Sequence, residues 1–300
     1  MRGAPASRTR TGACPVARAV SDSRPGEKTF VNHFSYRGLL VCLLLGASLR
    51  APAETAAQAH PLQHYSFKVV EQRPQSRTHF VQGLQIVDGM LYVSTGGYGR
   101  SQLLQYRFDD GVLVREKHLS PALFGEGLTV LGGRVYQLTW RARRLLVYRR
   151  QNLAAEGYFA IPGQGWGLTN NGKELIYTDG SHHLHFLDPV DGRHLRSIAV
   201  HEQGAPVDRL NELEWIDGEV WANVWQSDRI VVINPDTGAV TATIDLTGLL
   251  PRAERRQGTD VLNGIARNPA TGELWVTGKN WPWLYRIVLT PIPAATAKSR

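Results

Sequence analysis

The chain has 300 residues, of which 42% are hydrophobic, and its formal net charge is +8. Residues 1–59 hold eight lysines and arginines against three acidic residues, so a charge of only about +3 belongs to the rest of the chain. This near-neutral remainder gives no support for nucleic acid as a partner, and we predict none. Both cysteines, Cys14 and Cys42, also lie in residues 1–59, which excludes a disulfide or a cysteine nucleophile beyond them.

Residues 1–59 have the composition of a leader. An apolar run at 38–48 follows Arg37 and is too short to span a bilayer, as in the hydrophobic region of a signal peptide. Small residues at 51–53 and 57–59 are suitable cleavage sites. The segment at about 37–59 therefore predicts export to the periplasm or the extracellular space, with no stable membrane association after processing. An uncleaved membrane anchor is the alternative.

From residue 64 onward, short runs of alternating apolar and polar residues are separated by turn dipeptides, which indicates many short antiparallel strands. Five first strands share an x-Gly-Leu-type motif, at residues 82–84, 126–128, 166–168, 211–213 and 263–265. Five second strands follow in step at 91–94, 135–138, 175–178, 220–223 and 274–277. Five repeats of four strands predict an all-β chain: one five-bladed β-propeller over residues 60–300.

The last repeat contains only three predicted strands, whereas an unassigned strand at 66–70 precedes the first repeat. We therefore expect this N-terminal strand to complete the last blade and to close the ring, which would protect the sheet edges.

Two sets of equivalent positions depart from the repeat. The first strand of each blade lines the central channel of a propeller, and the motif position before each glycine forms the first set. These residues are Gln82, Glu126, Trp166, Asn211 and Asn263. The ends of the second strands form the other set: Gly96, Trp140, Asp179, Trp225 and Lys279.

A structural repeat favours small or apolar residues at equivalent sites, but these sets hold carboxylates, amides, an ammonium and three tryptophans. They predict a binding or catalytic pocket at one mouth of the channel. The alternative is that they are ordinary residues of the blades, with the tryptophans as core, Glu126 as a hydrogen-bonded carboxylate and Lys279 as a solvated strand end. For Asp179, which precedes Gly180, a turn role is favoured.

The histidines at 182, 183 and 185 resemble a metal cluster, but a strand would place His183 and His185 on one face and His182 on the other. We expect a solvent-exposed turn there. Motifs for nucleophilic hydrolysis, zinc proteolysis and phosphate binding are not found.

With the strands aligned, the chain from about residue 67 to 289 resembles the plant and bacterial type of glutaminyl-peptide cyclotransferase, a family of five-bladed propellers. The resemblance is carried, in order, by residues 80–84, 94–99, 124–128, 136–140, 165–169, 210–214, 222–225, 262–266 and 276–282. Val81 and Gly97 depart from the family pattern, which affects only the expected shape of the pocket.

The resemblance implies that Glu126, Asn211 and Lys279 are catalytic. It implies a substrate pocket formed by Gln82, Phe80, Phe124, Trp140, Trp166 and Trp225. It further implies a monomer that acts on peptides or proteins with N-terminal glutamine. No catalytic metal or other cofactor is expected, and a structural calcium is left open.

The chemistry of such a reaction can be argued from the residues. The α-amino nitrogen of an N-terminal glutamine attacks its own side-chain amide, so no covalent nucleophile is needed and orientation supplies much of the rate. A proton must pass from the amine to the departing ammonia. Glu126 is the only carboxylate in the first-strand set and suits this transfer. Lys279 and Asn211 suit stabilisation of the charge on the amide oxygen.

Two other functions fit the same residues. In a metal-dependent propeller lactonase, Glu126, Asn211 and Asn263 would bind a divalent ion, which Lys279 would repel. In a non-catalytic propeller, the tryptophans would bind peptides or glycans.

Overall fold

The computed structural model of the chain describes residues 61–293, which belong to one compact unit. The predicted leader, residues 1–59, lies outside the described residues. Within them, no helix is long and apolar enough to cross a membrane.

The described chain begins with β1 (Gln63–Pro74), followed by three four-stranded antiparallel meanders. The first contains β2 (Val81–Val87), β3 (Met90–Thr95), β4 (Gln102–Arg107) and β5 (Leu113–His118). The second contains β6 (Gly125–Leu131), β7 (Arg134–Thr139), β8 (Arg144–Arg149) and β9 (Ala155–Ala160). The third contains β10 (Leu168–Asn170), β11 (Leu175–Tyr177), β12 (His183–Leu187) and β13 (His194–Ala199).

A short hairpin of β14 (His201–Glu202) and β15 (Ala205–Pro206) leads to the remaining strands. These are β16 (Leu210–Ile216), β17 (Glu219–Val224), β18 (Arg229–Ile233), β19 (Val240–Asp245), β20 (Leu262–Arg267), β21 (Leu274–Gly278) and β22 (Trp283–Ile292). A single turn of 3-10 helix, Arg252–Glu254, lies in the long connection between β19 and β20.

The last strands and β1 form one eight-stranded sheet in the order β16-β17-β18-β19-β1-β22-β21-β20. β1 pairs antiparallel with β22, from His64 opposite Ile292 to Pro74 opposite Trp283. It pairs in parallel with β19 over three residues. The N-terminal strand thus lies between two antiparallel sets of strands and leaves neither facing edge open.

Burial decreases from the first strand of each meander to the fourth. β6 is buried along nearly its whole length, whereas β5, β9 and β13 consist of exposed and half-buried residues. Apolar clusters join neighbouring sheets; Tyr92 and Leu103 of the first meander, for example, pack with Leu128 and Val135 of the second. The first strands are therefore the innermost strands of the fold.

The prediction of an all-β chain is confirmed. The five predicted second strands are present as β3, β7, β11, β17 and β21. The hairpin β14–β15 was not predicted, because two-residue strands carry too little alternation to be recognised. His183 and His185 lie in β12 with their rings 6.0 Å apart. The expectation of a turn was therefore wrong for these two residues.

Candidate active site

Breaks in the pairing register between the first and second strands determine where the polar residues of the first strands lie. In β6, Glu126 and Gly127 together oppose one residue of β7. Asn211 in β16 and Asn263 in β20 lie in bulges of the same kind, and Gln82 lies at a register shift in β2. A bulge redirects a side chain that the regular pleat would send into the sheet packing. The local irregularity of four first strands is thus what aims these residues at the centre.

The glycine of the x-Gly-Leu motif permits close approach of neighbouring first strands. A β-carbon at Gly127 would lie 2.4 Å from the backbone nitrogen of Leu168, and one at Gly167 would lie 1.9 Å from the carbonyl oxygen of Asn211. The amide of Gly127 donates to the carbonyl of Trp166 at 2.6 Å. The motif is therefore a packing requirement of the centre.

All nine residues predicted to form the site line one cavity of about 350 Å³. They are Phe80, Gln82, Phe124, Glu126, Trp140, Trp166, Asn211, Trp225 and Lys279. Their chemical roles stay predictions. A separate cavity of about 260 Å³ near Arg73, His79 and Phe108 contains none of them. The first cavity combines convergent polar groups with aromatic walls, as ligand sites do.

The carboxylate of Glu126 is almost completely buried in this cavity, with 4% of the residue exposed. Burial raises the pKa of Glu126 well above its usual value, while the charge of Lys279 and a hydrogen bond from Gln82 act in the opposite direction. A carboxyl whose pKa moves toward neutrality suits proton transfer at physiological pH.

Lys279 is the cationic partner in the cavity and is 4% exposed. Burial lowers the pKa of its ammonium, and Glu126 and Asp260 oppose that change. Its Nζ lies 4.9 Å from the centre of the Phe80 ring. Backbone hydrogen bonds with Asp260 and Val261 hold this residue at the end of β21. A buried ammonium of this kind is a fixed donor to a group that develops negative charge.

A chain of hydrogen bonds orients Gln82. The Nδ2 of Asn263 donates to the carbonyl of Val81 at 2.9 Å and to Oε1 of Gln82 at 3.3 Å. With its oxygen engaged in this way, Gln82 presents its N–H to Glu126, which agrees with its effect on the pKa of that carboxyl. Asn263 itself does not line the cavity. Of the three ligands of the lactonase alternative, Glu126 and Asn211 line the cavity and Asn263 does not.

Asn211 is 2% exposed and lines the same cavity. Its carbonyl accepts a hydrogen bond from Oγ1 of Thr178 at 2.9 Å, which ties the bulge to the third meander. Its side-chain amide has no hydrogen-bond partner within residues 61–293, so both of its polar atoms are available to a ligand.

Aromatic rings form the walls of the cavity. Phe124 packs edge-on against Phe80 at 6.1 Å and against Trp140 at 5.6 Å between ring centres. Trp166 and Trp225 meet edge-to-face at 5.5 Å. Gly96 makes room for this arrangement, because a β-carbon there would lie 2.2 Å from the Phe124 ring. The glycine in the second set of positions is thus also part of the site.

Three further residues line the cavity and were not predicted: Gln226, Asp260 and Val261. They come from the turn after β17 and from the end of the long connection before β20. Neither segment follows the repeat, so register could not identify them. In the sequence, only the position of Gln226 directly after Trp225 could have indicated that it lines the cavity.

Asp179 takes the turn role that was expected of it. Its Oδ1 accepts hydrogen bonds from the backbone and the hydroxyl of Ser181, and its Oδ2 lies 3.4 Å from Nε2 of His185. In the part of the chain that the structure describes, no group of three or more His, Cys, Asp or Glu residues has an arrangement that could hold a metal ion.

Comparisons with known proteins identify the family of the chain. The family model of glutamine cyclotransferase matches residues 39–289. A glutaminyl-peptide cyclotransferase of Arabidopsis thaliana is 40% identical over 238 residues, which cover 77% of this chain and 73% of the relative. The crystal structure of Myxococcus xanthus glutaminyl cyclase matches with a TM-score of 0.72 and 31% identity, over 77% of this chain and 100% of that one. The chain belongs to the glutamine cyclotransferase family.

Proposed function

We propose that the protein is a glutaminyl-peptide cyclotransferase, which converts the N-terminal glutamine of peptides and proteins to pyroglutamate with release of ammonia. The observation that carries the proposal is a buried carboxyl, Glu126, facing Lys279 and Gln82 in an aromatic cavity. Membership of the family supports the same activity.

The proposed reaction is a proton transfer coupled to an intramolecular attack. The neutral α-amino nitrogen forms a bond to the side-chain amide carbon and loses a proton to the carboxylate of Glu126. Glu126 then returns the proton to the amide nitrogen, the carbon–nitrogen bond breaks, and ammonia leaves. The pKa of an α-amino group is about 7.7 to 8.0, so much of the amine is protonated at neutral pH. A carboxyl with a raised pKa exchanges protons readily with such groups.

Negative charge develops on the amide oxygen of the tetrahedral intermediate. The ammonium of Lys279 and the free amide of Asn211 are the donors available to it. Fixed donors in a water-poor cavity need no reorganisation during the reaction, and one such donor typically contributes about 3 kcal/mol.

The aromatic walls supply orientation. Cyclisation requires the glutamine side chain to fold back onto its own amine, and a narrow apolar cavity favours that folded form over extended ones. Trp140, Trp166 and Trp225 surround the space in which this occurs. The proposed steps need neither a metal nor another cofactor, because Glu126 moves the proton and Lys279 stabilises the charge.

We also infer that the sheets form a five-bladed β-propeller. Three blades correspond to the meanders, and the eight-stranded sheet supplies two blades that β1 joins. In this interpretation β1 is the outer strand of the last blade, because its pairing with β22 is the longer one. The buried first strands and their close glycine contacts support a shared centre.

Export, the processing of residues 1–59 and a monomeric state complete the proposal. The apolar run at 38–48 and the small residues after it support the first two. The absence of cysteine beyond residue 59 is compatible with an oxidising compartment.

The activity is tested by incubating the full chain with a Gln-Ala peptide, with and without EDTA, and following the loss of one ammonia by mass spectrometry. We expect conversion by the wild type and a rate reduced by about 10²–10⁴-fold in Glu126→Gln. Thermal unfolding of both proteins verifies that they are folded. No conversion by folded wild type would overturn the assignment and favour a peptide-binding protein. Conversion that EDTA abolishes would overturn the metal-independent mechanism.

A further inference from the structure

The catalytic cavity continues into a polar groove. A second cavity, also of about 350 Å³, shares three residues with the first, Gln226, Asp260 and Val261. The groove extends past them to Asp228 and Arg255. In a peptide whose N-terminal glutamine occupies the catalytic cavity, the following residues must leave through its mouth. This groove is a continuous path for them.

Three exposed arginines surround this mouth. Arg255 lines the groove itself. The Nη1 of Arg209 donates to Oε1 of Gln226 at 3.2 Å. The guanidinium of Arg141 lies 4.1 Å from the centre of the Trp140 ring. Each of the last two therefore touches a residue that lines the catalytic cavity.

These arginines carry uncompensated charge. None of the three is among the arginines that form ion pairs within residues 61–293. At the opposite ends of the sheets, by contrast, turn aspartates are paired, for example Asp88 with Arg150.

Two carboxylates also line the groove. Asp260 accepts a hydrogen bond from the amide of Val261 at 2.7 Å and opposes the lowering of the Lys279 pKa. Asp228 is half-buried and is the second counter-charge. Two carboxylates against three guanidinium groups leave the path positive.

We propose that Arg141, Arg209 and Arg255 form a subsite that favours peptides with aspartate or glutamate among their second to fourth residues, counting the N-terminal glutamine as the first. This inference rests on the proposed cyclase activity. Exposed ion pairs are individually weak, so each arginine contributes about two- to five-fold. Charges at the rim of a site act mainly on association, so the preference appears in kcat/KM and decreases with salt.

The test compares three peptides that differ only in charge: Gln-Ala-Asp-Glu-Ala, Gln-Ala-Lys-Lys-Ala and Gln-Ala-Ser-Ser-Ala. At low ionic strength the full wild-type chain is expected to convert the acidic peptide with a kcat/KM about tenfold above the basic one. This ratio falls toward one in the triple variant Arg141→Gln, Arg209→Gln, Arg255→Gln, and falls partly in Arg255→Gln alone. In Arg193→Gln, at a turn on the opposite side, the ratio is unchanged.

The outcomes separate the two proposals. If folded wild type releases no ammonia from the neutral peptide, the cyclase assignment fails and the subsite fails with it. If all three peptides react alike, or if the triple variant keeps the wild-type ratio, only the subsite is wrong. Because the ratio is measured within one preparation, a partial loss of folded protein does not change it.

Discussion

At the level of single residues, the orientation of two amides determines the environment of Glu126. The carbonyl of Val81 can only accept a hydrogen bond, so Asn263 must turn its Nδ2 toward it and toward Gln82. Gln82 is then left with its N–H for Glu126. Asn263 does not line the cavity, and we infer that it is a positioning residue, which would act on the reaction through Gln82.

Replacing Asn263 tests this role. Asn263→Leu removes the donor that holds Gln82, so the hydrogen bond that stabilises the Glu126 carboxylate weakens and the pKa of Glu126 rises further. The acidic limb of the pH profile of kcat/KM is expected to move to higher pH, with about tenfold less activity at neutral pH. The pH dependence of peptide cyclisation measures the shift.

Asn170→Leu is the matched control, because Asn170 also donates from a first strand to backbone and side chain but far from the cavity. A merely structural role for Asn263 would lower stability in both variants and leave both pH profiles in place. That result would contradict the assigned role.

At the level of elements, β16 differs from the other first strands. Where the other four first-strand motifs have a glycine, β16 has Glu212, whose two oxygens accept the amides of Leu84 in β2 at 3.2 Å and Ile265 in β20 at 2.8 Å. Two residues on, Glu214 accepts the amide of Arg267 at 3.1 Å. Two buried carboxyls thus join three first strands at the centre. Removing these carboxyls from water costs free energy.

The pH dependence of stability follows from these carboxyls. Burial raises the pKa of Glu214 to about 8 from an ordinary value of 4.5. Between these values the folded state keeps the proton and the unfolded state releases it, so the free energy of unfolding falls as the pH rises. Burial also raises the pKa of Glu212, and the charge of Glu214 adds to this effect.

Glu214→Gln keeps an acceptor for the amide of Arg267 and removes the ionisation. We expect its Tm to exceed that of the wild type at pH 8 by several degrees, since about 1 kcal/mol corresponds to about 2–4 °C in a protein of this size. At pH 5 the difference should be small. Thermal unfolding followed by circular dichroism measures both, with exposed Glu116→Gln as control. Equal slopes of Tm against pH would show that Glu214 is not protonated in the folded state.

At the level of the whole molecule, the pairing of β1 connects the two ends of the described chain. β1 contacts β22 along ten paired positions, and its partly buried Tyr65 and Phe67 pack on the apolar cluster of the last strands. Without β1, β22 and β19 would each present an open edge. The strand is therefore expected to contribute to stability far beyond its own length.

Truncation tests this contribution. A chain that begins at Gln75 lacks β1, whereas a chain that begins at Gln63 retains it and is the control. We expect the shorter chain to unfold at least 10 °C lower, because several buried apolar side chains lose their partners. Differential scanning calorimetry compares the two. Similar transitions would argue against ring closure by β1.

The sequence was sufficient for the strand order and for most of the site. The repeat aligned Gln82, Glu126 and Asn211 although they are far apart in the chain, because equivalent residues of a repeat occupy equivalent places. It grouped Asn263 with them as well, and this residue contacts Gln82 without lining the cavity. Which way a bulged side chain turns depends on its acceptors, and those lie on another strand.

The amino-acid sequence by itself determined the all-β class, the five first strands and the chemical character of the pocket, since alternation, turn residues and a repeat are local properties of the chain. The tertiary structure alone decided the depth at which Glu126 and Lys279 are buried, and hence the direction of their pKa shifts. It alone placed Asp260, Gln226 and Arg255 around the mouth. Desolvation and charge proximity depend on which segments meet in space, and irregular connections outside the repeat carry no local pattern that predicts such meetings.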